Sequence, residues 1–508
     1  MSQVTTVSPS VRIRPAITMF VLLVATALVL RAYAFTSAGL DWDESLYIVI
    51  AQRWLAGGIP YVTVWDQHPM GLPALFAVAE LFFRDGLVAA RVACFIAVVG
   101  TAFLLGLFML RHVGSMVAGI VAGMLYLLYM TRPEGLAANT ECFNNLIVTA
   151  SSFLLFSETA RPAGVMRTGA VFAASLLLGI GLQIKYVVLP EAAFLCGAML
   201  LHQWMNGAGA GRVIGVALLA MVGGILPTAI ASLYFWYEGA WAAYMNGNIS
   251  VNVRYIDEFL PVSLTLFRLR LGLLPLAGLL PWPFVLAWLS RDPEMRRRYG
   301  WLMLWLAVWM VAAALDVAMP LKLWKHYFNA LIPPLCLAAA LAIEVMSHRG
   351  KVMAKAAVVL GVLAVIPAVG SAVKHLPDSR SVDRVNVPST IGQQIVDGGT
   401  NGHDVYVFNY DPLVYAYANA VPPTKYVLGI ELADFASTSG IDSRGEIDRI
   451  LSQSPRWIVV ADPSMYKLPQ VIWDDLHNAL RNYHVVSNLP EADYIQPPIH
   501  VMLYERND

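Results

Sequence analysis

Between residues 16 and 373 the chain runs through long apolar stretches separated by short polar loops, and this pattern fixes the class of fold. Eleven stretches are predicted as helical spans, near 16–35, 88–110, 113–131, 141–158, 168–184, 188–205, 212–236, 264–290, 299–317, 327–346 and 353–373. A helix needs about 20 apolar residues to cross a hydrocarbon core of about 30 Å, and each stretch comes close to that length. Only 13% of the residues are charged, about half the share in a soluble domain. The reading is a polytopic α-helical membrane protein. The run around Lys185–Glu191 is read as two spans joined by a very tight turn, because as one helix it would be about 55 Å long. Zero net charge gives no basis for nucleic-acid binding. The cysteines, Cys94, Cys142, Cys196 and Cys336, lie in apolar stretches, with neither metal-ligand spacing nor a disulfide pattern. Arg12 and Arg14 precede the first stretch and no convincing cleavage site follows, so it is expected to stay as a span.

Basic residues orient the spans. Arg111 with His112, Arg161 with Arg167, Arg212, the run from Arg291 to Arg298, and Arg349 with Lys351 and Lys355 fall in alternate loops. Such loops stay on the cytoplasmic side. The N-terminus is therefore expected inside, and residues 374–508 outside. Residues 71–83 are apolar but would rise only about 20 Å as a helix, too short to span. If they did span, Arg296, Arg297 and Arg298 would face outward. They are predicted to lie on the outer membrane surface. Residues 44–56 are read the same way, because Leu46, Ile50 and Trp54 share a helical face. The first outer loop, 36–87, thus holds two interfacial helices. The chain divides into a transmembrane domain, 1–373, and a small α/β domain, 374–508. In the latter, strands are predicted at Val405–Phe408, Trp457–Val460, Val485–Val486 and Val501–Tyr504, with helices near Gly445–Ser452 and Val471–Leu480.

Two acidic clusters stand in the first outer loop: Asp41, Asp43 and Glu44, then Asp66 with His68. Carboxylates at a membrane edge are costly unless solvated or used. Further outer ends carry Asn139 and Glu141, Lys185, and Lys322, Lys325, His326 and Tyr327. Acids and cations on one side suit a reaction that needs a base and an anion-binding group together. Outside a bacterial inner membrane nucleotide sugars are normally absent, so a sugar donor there arrives on a polyprenyl phosphate. Transfer then needs a carboxylate for the acceptor's proton, cations for the departing phosphate, and an apolar groove for the lipid.

The run DWDESLYIVIAQRWLAGGIPYVTVWDQHPMGLPALF resembles the first outer loop of the GT-C superfamily of membrane glycosyltransferases. The likeness is to the protein O-mannosyltransferases, the lipid A aminoarabinose transferases and the rhizobial galacturonosyltransferases. It rests on the acidic pair Asp43-Glu44, on Gly57/Gly58 to Tyr61, and on Asp66 to Gly71. KHYFNALIPPL, 325–335, and DPLVYAYANAVPPTKYV, 411–427, are similar to later segments of the group. The resemblance implies a sugar transfer from a polyprenyl-phosphate donor to a hydroxyl of an envelope acceptor, be it lipid A or core glycan, polysaccharide or protein. It implies inversion at the anomeric carbon, Asp43 as general base and Glu44 as its catalytic partner. It places His68, Lys325, His326 and Tyr327 near the donor phosphate, with Lys185 and Lys322 as further candidates. Asp41, Asp66, Asn139 and Glu141 are candidates for acceptor binding or a secondary acid, Glu141 standing where relatives often have Asp.

Plainer readings stand beside these. Asp41 could simply flank the loop, Lys185 could cap the tight turn, and Lys322 and Lys325 could be snorkelling anchors. No cofactor or metal is expected, although carboxylates are the ligand type a divalent cation takes. Expected partners are the lipid-linked donor, the envelope acceptor and membrane lipids. The outer domain is expected to shape acceptor access rather than perform chemistry, so that changes at Asp411 or Lys425 alter acceptor affinity more than the chemical step. A transporter or flippase of lipid-linked glycan is the alternative class, and a non-catalytic envelope scaffold the next.

Overall fold

The computed structural model describes residues 13–35, 40–162, 165–257, 260–375, 386–433, 440–462, 468–491 and 499–507. The first part of the chain is helical throughout. It holds α1 (Ile13–Arg31), α2 (Trp42–Leu55), α3 (Gly71–Glu80), α4 (Gly86–His112), α5 (Met116–Tyr129), the single turn α6 (Pro133–Leu136), α7 (Thr140–Thr159), α8 (Thr168–Ile184) and α9 (Leu189–Met205). Then come α10 (Ala210–Tyr237), the short α11 (Trp241–Met245) and α12 (Val251–Asp257), α13 (Val262–Leu273), α14 (Trp282–Leu289), α15 (Pro293–Ala318), α16 (Ile332–Ser347) and α17 (Lys351–His375).

Among the described residues, seven helical stretches are long and apolar enough to cross a membrane, those starting at Ile13, Gly86, Tyr186, Ala210, Pro293, Lys325 and Lys351. Helices also stand at the other four predicted spans but fall short of that standard. α5 and α8 have 14 and 17 residues. α7 has 20 but carries Glu141, Asn144, Asn145 and Glu158. The stretch from Val262 to Leu289 is broken in two where Pro275 and Pro281 interrupt the hydrogen-bond ladder. The tight turn after α8 is a single extended residue, Lys185 (φ −160°, ψ 128°), followed by a 3-10 turn into α9.

The loops predicted to lie inside meet one another. Glu158 accepts from Arg161 Nε (3.2 Å) and Arg167 Nε (2.9 Å). Ser115 Oγ donates to Glu344 Oε2 (2.8 Å), and Arg349 pairs with Asp292. The acidic clusters of the first loop gather at the other end, where the C-terminal domain sits.

That domain contains α18 (Val387–Asp397), α19 (Leu413–Tyr417), α20 (Gly429–Leu432), α21 (Ser443–Ser452), α22 (Gln470–Leu480) and four strands, β1 (Val405–Phe408), β2 (Trp457–Asp462), β3 (Tyr483–Glu491) and β4 (Ile499–Arg506). The sheet order is β1-β2-β4-β3. β1 and β2 are parallel, with Val405 opposite Trp457, and the other pairs are antiparallel. Every predicted strand and both predicted helices lie within these elements. The start of the domain near 374 adjoins residues 376–385, outside the described residues.

The domain is not a separate ball. Val405, Leu413, Val459 and Leu503 belong to one hydrophobic core with Leu46, Val49 and Phe76. α2 is therefore covered on more than one side, and nine of its residues are buried. The apolar face read from Leu46 and Ile50 is only part of what it hides. α3 lies against α8, and Gly71 shows how closely: a Cβ there would meet Gln183 O at 2.3 Å. Replacing Gly71 with Ala should push α3 off the end of α8 and cost about 1–3 kcal/mol as overpacking does. A thermal melt of the purified protein in detergent that matches wild type would refute this contact.

Candidate active site

Part of the first acidic cluster is helix-start chemistry. Asp41 is the N-cap of α2, its Oδ1 accepting the Asp43 N–H (3.1 Å). Asp43 and Glu44 sit in the first turn, where the helix dipole favours negative charge. The three acids then part ways. Asp41 Oδ2 accepts Asn139 Nδ2 (2.7 Å), so Asn139 ties the start of α7 to the start of α2. Burial, with the Asp43 charge beside it, holds the Asp41 carboxyl well above the usual carboxylate range. Asp43 is half-buried and, among the described residues, its side chain accepts no hydrogen bond. Glu44, expected as a catalytic partner, is 1% exposed. Arg91 grips it through Nη2 (2.8 Å) and Nε (3.1 Å), and the Ala138 N–H donates to Oε1 (2.9 Å). With both oxygens taken and no open face, Glu44 is an anchor, a correction to its expected role.

The second cluster lies on the loop between α2 and α3. His68 Nδ1 is 3.0 Å from Asp66 Oδ1, and Asp66 also accepts its neighbour's Gln67 N–H (2.6 Å). Burial disfavours the charged ring, but Asp66, aided by Asp43, outweighs it, and the His68 pKa lies above its ordinary value. The loop is braced by Tyr61 in the left-handed region (φ 67°), whose hydroxyl donates to His68 O (2.9 Å) and accepts Asn248 Nδ2 (2.6 Å). Asn248 belongs to a π-helical turn, Asn246–Ser250, and Asn252 after it donates to Gln67 O (2.6 Å).

A third group closes the site. Lys185 Nζ is 2.6 Å from Glu141 Oε1 and 3.9 Å from the Tyr327 ring centre. The extended backbone at Lys185 delivers this buried cation. Its neighbour His326 packs against Tyr327 at 4.8 Å between ring centres. Asp43 exerts its field on His68, His326 and Tyr327 alike. One face therefore collects a free carboxylate, a histidine backed by an aspartate, and a lysine–glutamate–aromatic set.

Other candidates stand apart. Lys325 is 55% exposed and lies 3.8 Å from Glu134, on the rim. Lys322 is buried with its Nζ 4.3 Å from the Tyr255 ring centre, while its carbonyl accepts Arg268 Nη1 (2.8 Å). Asp411, expected to bear on acceptor affinity, is fully buried and accepts the Leu413 N–H (2.8 Å), so it offers no exposed surface to an acceptor. No group of three His, Cys, Asp or Glu side chains suited to a metal ion occurs among the described residues. Two apolar clefts along α17, of about 710 and 290 Å³, are lined by no residue of the polar cluster.

Sequence reasoning missed the supports. Arg91 sits in the first turns of an apolar span, and a charge there signals a buried partner. Arg31, at the end of α1, donates to the carbonyls of Gly135 (2.7 Å) and Leu136 (2.9 Å), holding the loop that leads to Asn139. Tyr47 lies one turn beyond Asp43, its ring centre 6.2 Å from that of His68. The carboxamides Asn248 and Asn252 carried no motif.

No family model matches the sequence, and no curated protein matches it either. Solved structures do. The structure of ArnT from Cupriavidus metallidurans bound to undecaprenyl phosphate superposes with a TM-score of 0.62 at 16% identity, covering 95% of this chain and 97% of that one. Its apo state gives 0.59 at 15% identity over the same shares. The apo oligosaccharyltransferase of Archaeoglobus fulgidus gives 0.52 at 11% identity, covering 88% of this chain and 69% of that one. The chain shares the fold of these structures.

Two outcomes follow from the geometry. Replacing Arg91 with Met leaves Glu44 buried and unpaired, which should cost about 3–5 kcal/mol in unfolding experiments. A loss under about 1 kcal/mol would show that the pair is solvated. The raised His68 pKa means that its cationic form is full below the ordinary histidine value and lost as pH rises through the higher one. Asp66→Asn removes the main attraction, so the ring should lose its proton at lower pH. Equal NMR titration midpoints in variant and wild type would contradict that account.

Proposed function

We propose that this chain, built on the GT-C fold, is a glycosyltransferase that moves a sugar from a polyprenyl-phosphate donor to a hydroxyl of an envelope acceptor. The observation that carries the reading is Asp43, a half-buried carboxylate that has no hydrogen-bond donor among the described residues and lies within the field of His68 and His326. A base that must accept a proton is best left unpaired, and a leaving phosphate needs cations held in place. The Asp66-backed His68 and the buried Lys185 answer the second need. The likeness to ArnT supports the same class through the fold.

In this scheme the acceptor oxygen attacks the anomeric carbon from the face opposite the phosphate. As the new C–O bond forms, the hydroxyl proton passes to Asp43, because a free hydroxyl is far too weak an acid to release it earlier. The bond to the phosphate oxygen breaks with its electron pair, and the polyprenyl phosphate departs as an anion. His68 and Lys185 offset that charge, His326 can donate a hydrogen bond from its ring N–H, and the sugar is inverted. Glu141 holds Lys185 and is not asked to act as an acid. Asp41, capped by Asn139, shapes the helix start. Lys325 serves the rim, where donor headgroups arrive, and the buried Lys322 packs on Tyr255 behind it. The site and the C-terminal domain are assigned to the periplasmic side of a bacterial inner membrane, on the basic bias of the opposite loops. Acceptors in reach there are lipid A or core glycan, polysaccharide or protein.

Labelled polyprenyl-phosphate sugars incubated with membranes test this directly. Asp43→Asn should lower transfer by about 10²–10⁴-fold while donor binding persists. His68→Ala and Lys185→Ala should instead weaken donor binding. Wild-type transfer by Asp43→Asn would end the reading and put transport of a lipid-linked glycan ahead.

A further inference from the structure

Resting on the transferase reading, we propose that the C-terminal domain is a positioning element that sets the spacing between Asp43 and His68, with Asp411 as its positioning residue. The domain reaches both halves of the site. On α2, the Tyr410 ring meets the Trp42 ring edge-on at 6.0 Å between centres. Asp411 caps the start of α19, and α19 packs directly against α2. On the other half, Lys425 O accepts the Trp65 N–H (2.9 Å), and the Tyr426 and Trp65 rings lie 6.0 Å apart. Trp65 immediately precedes Asp66.

Helix geometry gives these contacts a direction. Trp42 and Ser45 are three residues apart and share a face, the one turned to the C-terminal domain. Asp43 and Tyr47 are four apart and share another, turned to His68. Glu44 points a third way, to Arg91. The latch and the base are thus on one rigid helix, about 100° apart around its axis. A carboxylate about 5–6 Å from that axis moves about 2 Å when the helix rolls by roughly 20°. Misplacement by about 1 Å can cost about 100-fold in rate. The latch itself is specified: Asn409 takes a left-handed turn (φ 50°), and Asp411 caps the start of α19. Such a turn fixes the angle at which Tyr410 and Asp411 reach α2.

The test uses the full chain. In Asp411→Ala and in Tyr410→Leu, kcat with a labelled polyprenyl-phosphate sugar should fall about 10- to 100-fold while donor KM moves by less than about twofold. Amide hydrogens of residues 45–51 should exchange faster, and those of α5 and α16 should not change. Asp411→Asn keeps a capping oxygen and should recover most of the rate, which a general loss of fold would not allow. Unchanged exchange in α2 overturns the proposal. So does faster exchange with wild-type kcat, or a change confined to KM. If Tyr410→Leu does not fold, the Ala and Asn variants at 411 decide alone. Exchange is read without turnover, so failure of the transferase reading at Asp43 remains distinguishable from failure of the latch.

Discussion

The buried ion pair of Glu44 and Arg91 is the contact on which the site depends. Two charges withdrawn from water are tolerated only if every lone pair and proton is used. Here the pair draws in the Ala138 N–H and the Ala34 carbonyl, so α2, α4, the 3-10 turn after α1 and the loop before α7 converge on it. A greasy contact at the same place would resist sliding far less. The pair has directional bonds, and it pins the rotation of α2 from inside the bundle. Asp43, one residue earlier, inherits that precision without being part of it.

Around that anchor the charges divide into paired and unpaired. Lys185 is satisfied by Glu141 and a ring face, His68 by Asp66, Asp41 by Asn139 and its own helix. Asp43 is the acid left over. A cleft with all its groups satisfied binds little. A cleft with many unsatisfied groups is costly to keep folded. Among the described residues Asp43 is an open carboxylate amid paired charges, while the amide oxygens of Gln67, Asn139 and Asn248 are also left without donors.

Much of this was legible in the sequence, and the reasons differ by element. The strands at Val405 and Trp457 announced themselves through short β-branched runs, and α3 through a length too small to span. The turn at Lys185 followed from length alone. What stayed hidden was pairing. Glu44 and Arg91 are far apart in the chain and belong to different patterns, so no spacing rule joins them. Glu44 looked catalytic because it neighbours Asp43, whereas a helix turns successive residues about 100° apart and sends them to different partners. The burial of Asp411 stayed hidden too, since nothing local reveals the packing of α19 on α2. Lys325 matched a motif yet faces outward, because the 3-10 turn Lys325–Leu331 directs Tyr327 inward and Lys325 out.

The cover over α2 has a consequence for how the molecule is made. α19, which closes over α2, leaves the ribosome roughly 360 residues after it. At about 5–20 residues per second that is an interval of about 20–70 s. Throughout it, Trp42 and its neighbours lack the cover of α19 while the helices from α4 to α17 are being made. The lipid interface is the natural shelter for a helix in that condition. The amphipathic face read from Leu46 and Ile50 therefore suits an unfinished chain as well as the finished protein. A nascent chain stalled before residue 413 would hold its acids on a helix whose lid does not yet exist.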